Sequence, residues 1–390
     1  MDQCIFCDRA LSPGRPEHVF LAALGGRITT KRAVCFKCNN EFAAGDKVDD
    51  SLAEAFLVPR CALMIWTGRG QPPPTLSRKG TVQGIEYVLA PGFVPITRRA
   101  TPQAVSSLSG SSSFSARDVV DAKRILDIYR AQGAEVKVRS VRRIAQKVPP
   151  VDLTMVIRGS SAFRSITKTA LTAACVLFGN ENVRRHADKG LRNAALQGTP
   201  DIMYFAGWDF VNAWPANTRL APHKSSPAAD ALPSGFEHAV FVCDVDDAWI
   251  AYVTLFGHFR FSVWLGSASG LPAKGLAVNP RRSAVSRFVV LADSPPKYLR
   301  RGGTSMNDEQ RSISDGIRMG LTVILTHWQE ESQQAWFGQL ANELSEAVSA
   351  ATDDTARQAA LRKWSEKIAR IEFGSGWEDN LDSAVIDASG

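Results

Sequence analysis

No stretch of 18 or more apolar residues exists in this chain, so no membrane-spanning helix is expected. The first residues, Met1-Asp2-Gln3-Cys4, lack the basic region and following apolar run of a secretory signal. A cytoplasmic protein is therefore expected. No glycine-rich loop carries the lysine of a nucleotide-binding motif, so ATP dependence is not indicated. There is no sustained internal repeat. What is present is ordinary for a folded protein: 45% of the residues are hydrophobic and 22% are charged, which excludes disorder of the whole chain. A length of 390 residues suggests two or three domains.

The net charge of +7 is unevenly spread. Residues 67–150 hold 14 Lys/Arg against 5 Asp/Glu, and residues 301–390 hold 8 against 15. A basic middle and an acidic end fit a protein that meets a polyanion on one face, although many basic surfaces bind nothing in particular.

Seven cysteines are present, and four of them fall in the first 38 residues as Cys4-x2-Cys7 and Cys35-x2-Cys38. Two such pairs bring four thiolates within reach of one tetrahedral Zn2+. Each pair forms a short knuckle, and the intervening segment returns the chain to close the site. Two disulfides are the competing reading, which a reducing compartment disfavours. Cys61, Cys175 and Cys243 are isolated among apolar neighbours and read as small buried hydrophobes.

Between the pairs lies Glu17-His18-Val19-Phe20, followed by Gly25-Gly26, and Asn39-Asn40 follows the last cysteine directly. This arrangement resembles the zinc-containing HNH (ββα-metal) endonucleases over residues 4–45, with an extension to 66. The resemblance implies a strand pair, then a helix opened by the last cysteine and its asparagine. It implies DNA as substrate, His18 as general base, and Glu17 and Asn39 as ligands of a catalytic Mg2+ or Mn2+. Asn40 is the alternative ligand if the helix start is shifted by one. Cys4, Cys7, Cys35 and Cys38 would hold structural zinc. It also implies cleavage that leaves a 5′-phosphate and a 3′-hydroxyl.

Each residue has a chemical reason. Phosphodiester hydrolysis needs an activated water and charge stabilisation on the phosphate. An imidazole with a pKa of about 6.5 is a suitable base at neutral pH. Hard oxygen ligands suit Mg2+ or Mn2+. Adjacent residues on a strand point to opposite faces, so Glu17 and His18 converge only if the hairpin is twisted. One departure stands out. Many members carry a middle Asn that orients the loop of the base, whereas here the stretch reads Gly26-Arg27-Ile28-Thr29-Thr30-Lys31. Thr29, Thr30 or a backbone group has to serve instead. Without catalysis, Glu17 and His18 would be a surface pair on a zinc ribbon that only binds.

Asp46, Asp49 and Asp50 form an acidic cluster before Ser51-Leu52-Ala53-Glu54. The spacing reads as a capping box with a helix running on towards Pro59, with a metal role as the lesser reading. Thr67-Gly68-Arg69-Gly70-Gln71-Pro72-Pro73-Pro74 reads as a stiff connector. Residues 84–89 and 93–97 read as a hairpin around Ala90-Pro91-Gly92, and residues 100–115 as a Ser/Gly-rich mobile loop. Basic residues concentrate over 117–147, with Arg124, Arg139, Arg142 and Arg143 as candidate DNA contacts that position the duplex without reading sequence. A helix is expected from 163 to 178, where Arg164 and Lys168 could touch a phosphate and Gly179-Asn180 is the stop. Strands are expected at 238–245, 248–256, 259–265 and 287–291, with turns at Asp246-Asp247 and Gly257-His258. Helical periodicity then covers 313–328 and 336–348. A last helix starts at Thr352-Asp353, with Leu361, Trp364, Ile368 and Ile371 expected inside.

The expected fold class is α+β: an N-terminal ββα-metal zinc module, then a larger mixed domain with antiparallel strands and C-terminal helices. The expected divisions are 1–66 as the nuclease module, 67–150 as linker, hairpin and basic region, and 151–390 as a domain for DNA binding, dimerisation or sensing. The functional expectation is an endonuclease acting on DNA, a restriction or phage-defence effector. It would be a homodimer where both strands are cut, and open to control by a regulatory ligand or partner protein. The alternative is a non-catalytic zinc-ribbon DNA-binding protein.

Overall fold

The computed structural model describes residues 2–11, 16–45, 47–82, 85–97, 119–133, 155, 157, 159–199, 201–209, 219–222, 235–281, 287–291 and 306–373. In chain order a strand pair, β1 (Glu17–His18) and β2 (Thr29–Thr30), precedes short helices α1 (Phe36–Asn40), α2 (Val48–Ala55) and α3 (Leu57–Ala62). Next come β3 (Leu76–Val82), β4 (Ile85–Ala90), β5 (Val94–Thr97) and α4 (Val119–Ala131). Four helices follow: α5 (Gly159–Phe178), α6 (Asn180–His186), α7 (Lys189–Gln197) and α8 (Ile202–Phe205). The strands β6 (Ala206–Trp208), β7 (Arg219–Pro222), β8 (His238–Val245), β9 (Ala248–Leu255), β10 (Phe259–Ser267), β11 (Lys274–Val278) and β12 (Arg287–Leu291) come next. Helices α9 (Met306–Ala350) and α10 (Asp354–Phe373) end the described chain. The α+β class expected from the sequence is the class observed.

The chain forms two compact units, both discontinuous in sequence: Met1–Pro74 with Leu153–Thr326, and Thr75–Asp152 with His327–Gly390. The first is organised by a seven-stranded antiparallel sheet in the order β6-β10-β9-β8-β11-β12-β7. Alternation along β10 buries Phe259, Phe261 and Val263 and leaves Arg260, Ser262 and Trp264 half-buried. β9 is buried at all eight positions, as befits a strand with both faces covered. Helix α5 packs on β8, β9, β10 and β11, with Phe163 edge-on to Phe261 at 6.2 Å. The sheet's other face gathers Phe241, Cys243, Ile250 and Tyr252.

The expected strands and both turns are present, with Asp246 and Gly257 at positive φ. Strands β6, β7 and β11 are additional. They have three, four and five residues, too few for alternation to announce them. Helix α5 begins at Gly159, four residues before the expected start, and stops where Gly179 takes a φ of 87°. Its Ile166, Ala170 and Ala174 are fully buried.

Sheet and N-terminal segment share one aromatic core. Phe56 packs on Phe256 and edge-on to Phe259, with ring centroids 5.6 and 4.9 Å apart. His238 sits in the middle, 5.7 Å from Phe20 and 4.5 Å from Phe256. Its Nε2 donates to the Leu24 carbonyl at 2.8 Å and its Nδ1 accepts from the Phe256 amide at 3.1 Å. That pairing uses the neutral ring, one nitrogen donating and one accepting. Burial pushes the His238 pKa down to about 4, opposed by the Leu24 carbonyl. The unfolded chain takes up this proton near pH 6.5 and the folded one does not, so the neutral ring's contribution is complete above 6.5. It is lost as pH falls from there towards 4, by about 3 kcal/mol in all. We expect the urea midpoint at pH 4.5 to fall less for His238→Gln, relative to its own value at pH 7, than for the wild type. Equal acid sensitivity in the two proteins would exclude this histidine as the cause.

The second unit has a three-stranded sheet, β3-β4-β5, in which β4–β5 is the expected hairpin. Trp328 donates from Nε1 to the Gly92 carbonyl at 2.8 Å and meets Phe93 edge-on at 5.1 Å. The two apolar periods expected at 313–328 and 336–348 lie on one 45-residue helix, α9. Asp353 caps α10 by accepting from the Ala356 amide at 2.8 Å, and Trp364 Nε1 donates to the Leu340 carbonyl at 2.9 Å. Leu361, expected inside, is exposed. The 100–115 segment lies outside the described residues.

Candidate active site

The opening segment builds its site around four sulfurs. The Sγ atoms of Cys4, Cys7, Cys35 and Cys38 all lie within 4.8 Å of one another, and all four cysteines are free. Cys7 and Cys35 are 3.6 Å apart. Four sulfurs each about 2.3 Å from one zinc at tetrahedral angles stand roughly 3.8 Å from one another, so the cluster has the right size. Its knuckles also supply N–H donors. The Phe6 amide reaches Cys4 Sγ and the Cys38 amide reaches Cys35 Sγ, each at 3.5 Å. The Cys4 thiol is held down to about 5, chiefly by the hydrogen bond from Cys38 and against its burial. Four free sulfurs at this spacing fit Zn2+.

Three side chains of the larger domain hold the knuckles in place. Asn180 at the start of α6 donates from Nδ2 to the carbonyls of Gln3 and Arg32, at 2.8 and 2.7 Å. Arg192 on α7 donates from Nη1 to the Ile5 carbonyl at 3.0 Å. Arg184 pairs with Asp8 at 3.1 Å.

The hairpin between the cysteine pairs sets Glu17 opposite Thr30 and His18 opposite Thr29. Its loop depends on glycine. A Cβ at Gly26 would strike the Phe20 carbonyl, and one at Gly68 would strike the Gly26 carbonyl and stand 3.4 Å from His18 Cε1. Residues 26 and 68 can therefore close over the half-buried imidazole only without side chains. Burial lowers the His18 pKa, and the charges of Arg69 and Lys168 add to this while the Gly26 carbonyl acts the other way. His18 Nδ1 is buried with no hydrogen-bond partner among the described residues. Thr30 Oγ1 is engaged elsewhere, accepting from the Arg32 amide at 3.1 Å, and Thr29 is exposed.

Glu17 takes the buried face of the hairpin, 8% exposed. Its Oε1 lies 2.8 Å from Nζ of Lys168, on α5. The same ammonium donates to Asp49 Oδ2 at 2.8 Å and to Asn39 Oδ1 at 3.3 Å, and Ser165 donates from Oγ to Asp49 Oδ1 at 2.9 Å. Phe42 closes one side, with its ring centroid 5.1 Å from Nζ. Burial pushes the Glu17 carboxyl up against the pull of Lys168. Burial also opposes the charge on Lys168, but the carboxylates of Asp49 and Glu17 outweigh it and hold its pKa above the ordinary lysine value.

Glu17 and Asn39 are thus brought together, while Asn40 is exposed. Two members of the group were not singled out as partners from the sequence. Asp49 reads there as part of a helix start. The helix instead begins at Val48, which puts Ser51 inside it, so the capping-box reading is corrected. The five-residue π-helical turn Glu41–Gly45 between α1 and α2 is what brings residues 39 and 49 round to one point. Lys168 reads as a phosphate contact in the sequence but is 4% exposed and committed to this cluster. Arg164 is likewise buried and donates to the carbonyls of Ala195 and Leu196, at 2.8 and 2.7 Å, so it ties α5 to α7 and is withdrawn as a phosphate contact. Of the candidate DNA contacts, Arg124 is half-buried on α4 beside exposed Lys123, while Arg139, Arg142 and Arg143 lie outside the described residues.

Residues 4–57 match the model of the HNH endonuclease family. No curated protein and no solved structure matches the chain. The matched stretch begins at the first zinc-type cysteine and ends two residues beyond α2, so it contains the hairpin, the four-cysteine cluster and Asp49. The N-terminal segment thus matches an HNH endonuclease domain and carries a cysteine cluster that could hold zinc, and the two together support a nuclease-type function. Among the described residues no helix is long and apolar enough to cross a membrane.

Proposed function

We propose that this protein is a metal-dependent endonuclease that hydrolyses DNA phosphodiester bonds, with restriction or phage defence as its setting. The observation that carries the reading is the meeting of Glu17 and Asn39 on one cation point, with the imidazole of His18 on the adjoining residue of the same hairpin. The donor set of carboxylate and amide oxygens has the hardness that Mg2+ or Mn2+ requires. Bound there by Glu17 and Asn39, such an ion would stabilise charge on the phosphate. His18 would take a proton from the attacking water, and its lowered pKa keeps it in the accepting form at neutral pH. Cys4, Cys7, Cys35 and Cys38 would fix the hairpin against α1 through zinc. Arg124, Arg139, Arg142 and Arg143 would supply sequence-independent affinity for the duplex. A homodimer would let one site act on each strand, and the larger domain would serve target choice or response to a ligand or partner.

The purified chain is expected to nick or cut supercoiled plasmid when Mg2+ or Mn2+ is present. Activity should fall on the acid side through a value below 6.5, because protonation removes the accepting form of His18 and the folded ring protonates later than a free one. Plasmid assays from pH 5 to 8 read both. Binding of DNA with no cleavage under any of these conditions would favour the zinc-ribbon binding protein instead.

A further inference from the structure

The point on which the metal-type oxygens converge is held by an ammonium group. Glu17 comes from β1, Asn39 from α1 and Asp49 from α2, yet all three direct an oxygen at Nζ of Lys168, at 2.8, 3.3 and 2.8 Å. Lys168 is supplied by α5, at least 119 residues further along the chain than any of them. Its side chain is 5% exposed, so solvent does not share the charge. Ser165, one turn earlier on α5, holds the second oxygen of Asp49. The larger domain thus reaches into the HNH domain with one positive charge and a clasp on one of the carboxylates. An ammonium at hydrogen-bond distance from all three oxygens occupies the point on which they converge, where a divalent ion would be repelled by it and would have to displace it.

We propose that Lys168 is a tethered counter-ion that keeps the Glu17–Asn39–Asp49 donor set closed to divalent metal, so that loading of the nuclease requires the lysine to leave. This rests on the reading of Glu17 and Asn39 as the metal ligands. It adds that Asp49 completes the donor set and that the larger domain sets the ion affinity through α5. In the closed state one ammonium bonds to both carboxylates and offsets one of their two charges without metal. A movement of α5 that withdraws Lys168 leaves two poorly solvated carboxylates without their counter-ion, a site that favours another cation.

The test is Mn2+ binding to the zinc-loaded full chain, read from the electron paramagnetic resonance signal of free Mn2+, with thermal melting as a second measure. Lys168→Met is expected to bind one Mn2+ per chain at least tenfold more tightly than the wild type. Lys168→Arg, which keeps a charge on α5, should bind like the wild type. Adding Glu17→Gln to Lys168→Met should remove the gain. Without Mn2+, Lys168→Met should melt below the wild type, since its carboxylates lack a partner, and Mn2+ should restore it. Binding by Lys168→Met no tighter than wild type overturns the proposal, and so does a gain that survives Glu17→Gln. If the wild type cuts plasmid while Lys168→Met shows no gain, the gate falls and the nuclease reading stands. If the gain appears through Glu17 but no variant cuts DNA, the gate stands and the nuclease reading falls. If neither protein binds Mn2+ nor cuts, both fall.

Discussion

Stripping the metal from the four-cysteine cluster, or replacing Cys38 by serine, is expected to collapse the N-terminal segment while leaving the sheet of the larger domain folded. The hairpin that carries Glu17 and His18 has two residues per strand, too few to persist alone, and α1 has five. Ile5, Phe6, Ala33 and Phe42 are buried around the cluster, a small core for a segment of this length. Structural zinc contributes about 10–16 kcal/mol of apparent binding free energy in isolated zinc-finger peptides, and this is folding free energy when the apo segment is unfolded. Here the knuckles also lean on Asn180, Arg184 and Arg192, so the expected loss is smaller. Elemental analysis should find one zinc per wild-type chain. Proteolysis of the stripped protein should cut within the first 74 residues and spare α5 and β8–β10. A stripped protein with unchanged melting and an unchanged digestion pattern would remove zinc from the account, and two disulfides found under non-reducing conditions would replace it.

The same arrangement explains which parts could be read from the chain and which could not. The cysteine pairs, Glu17-His18 and the asparagine after Cys38 are local signals, since ligand spacing within a knuckle and alternation within a hairpin are set by neighbours in sequence. The long strands β8, β9 and β10 were legible for the same reason, β8 and β9 as apolar runs of eight residues bounded by turns and β10 by its alternation. Asp49 was hidden by a competing local pattern. Ser51 and Glu54 have the spacing of a capping box, but the chain enters α2 through Lys47 at a φ of 51°, and the helix starts before the serine. Lys168 was hidden by distance. Its place on α5 gives it helical neighbours of ordinary character, and only the tertiary fold sets it against three oxygens from the first fifty residues. Gly68 is a similar case. It sits in a stretch that reads as a connector, yet its missing Cβ is what lets the chain close over His18. Leu361 failed in the other direction, for helical periodicity shows which residues share a face but not whether anything covers that face.

Replacing His18 by alanine is expected to lower plasmid cleavage by 10²–10⁴-fold with DNA affinity and zinc content unchanged. A positioned general base contributes that much to proton transfer, which corresponds to about 3–5 kcal/mol of barrier. Glu17 is buried against Lys168, and His238 is fully enclosed and committed to Leu24 and Phe256. The substitution removes a ring that touches the Gly26 and Gly68 loop but none of the hydrogen bonds of the β1–β2 pair, so the hairpin should survive it. His18→Gln is the useful companion. It keeps a polar side chain near the Gly26 carbonyl but cannot accept a proton at neutral pH, so it should be as inactive as alanine if the imidazole is a base. A glutamine variant close to wild-type rate would make residue 18 an orienting group, and an alanine variant within tenfold of wild type would move the proton acceptor elsewhere. Either result is read against zinc content and DNA binding measured on the same preparation, which separates loss of chemistry from loss of fold.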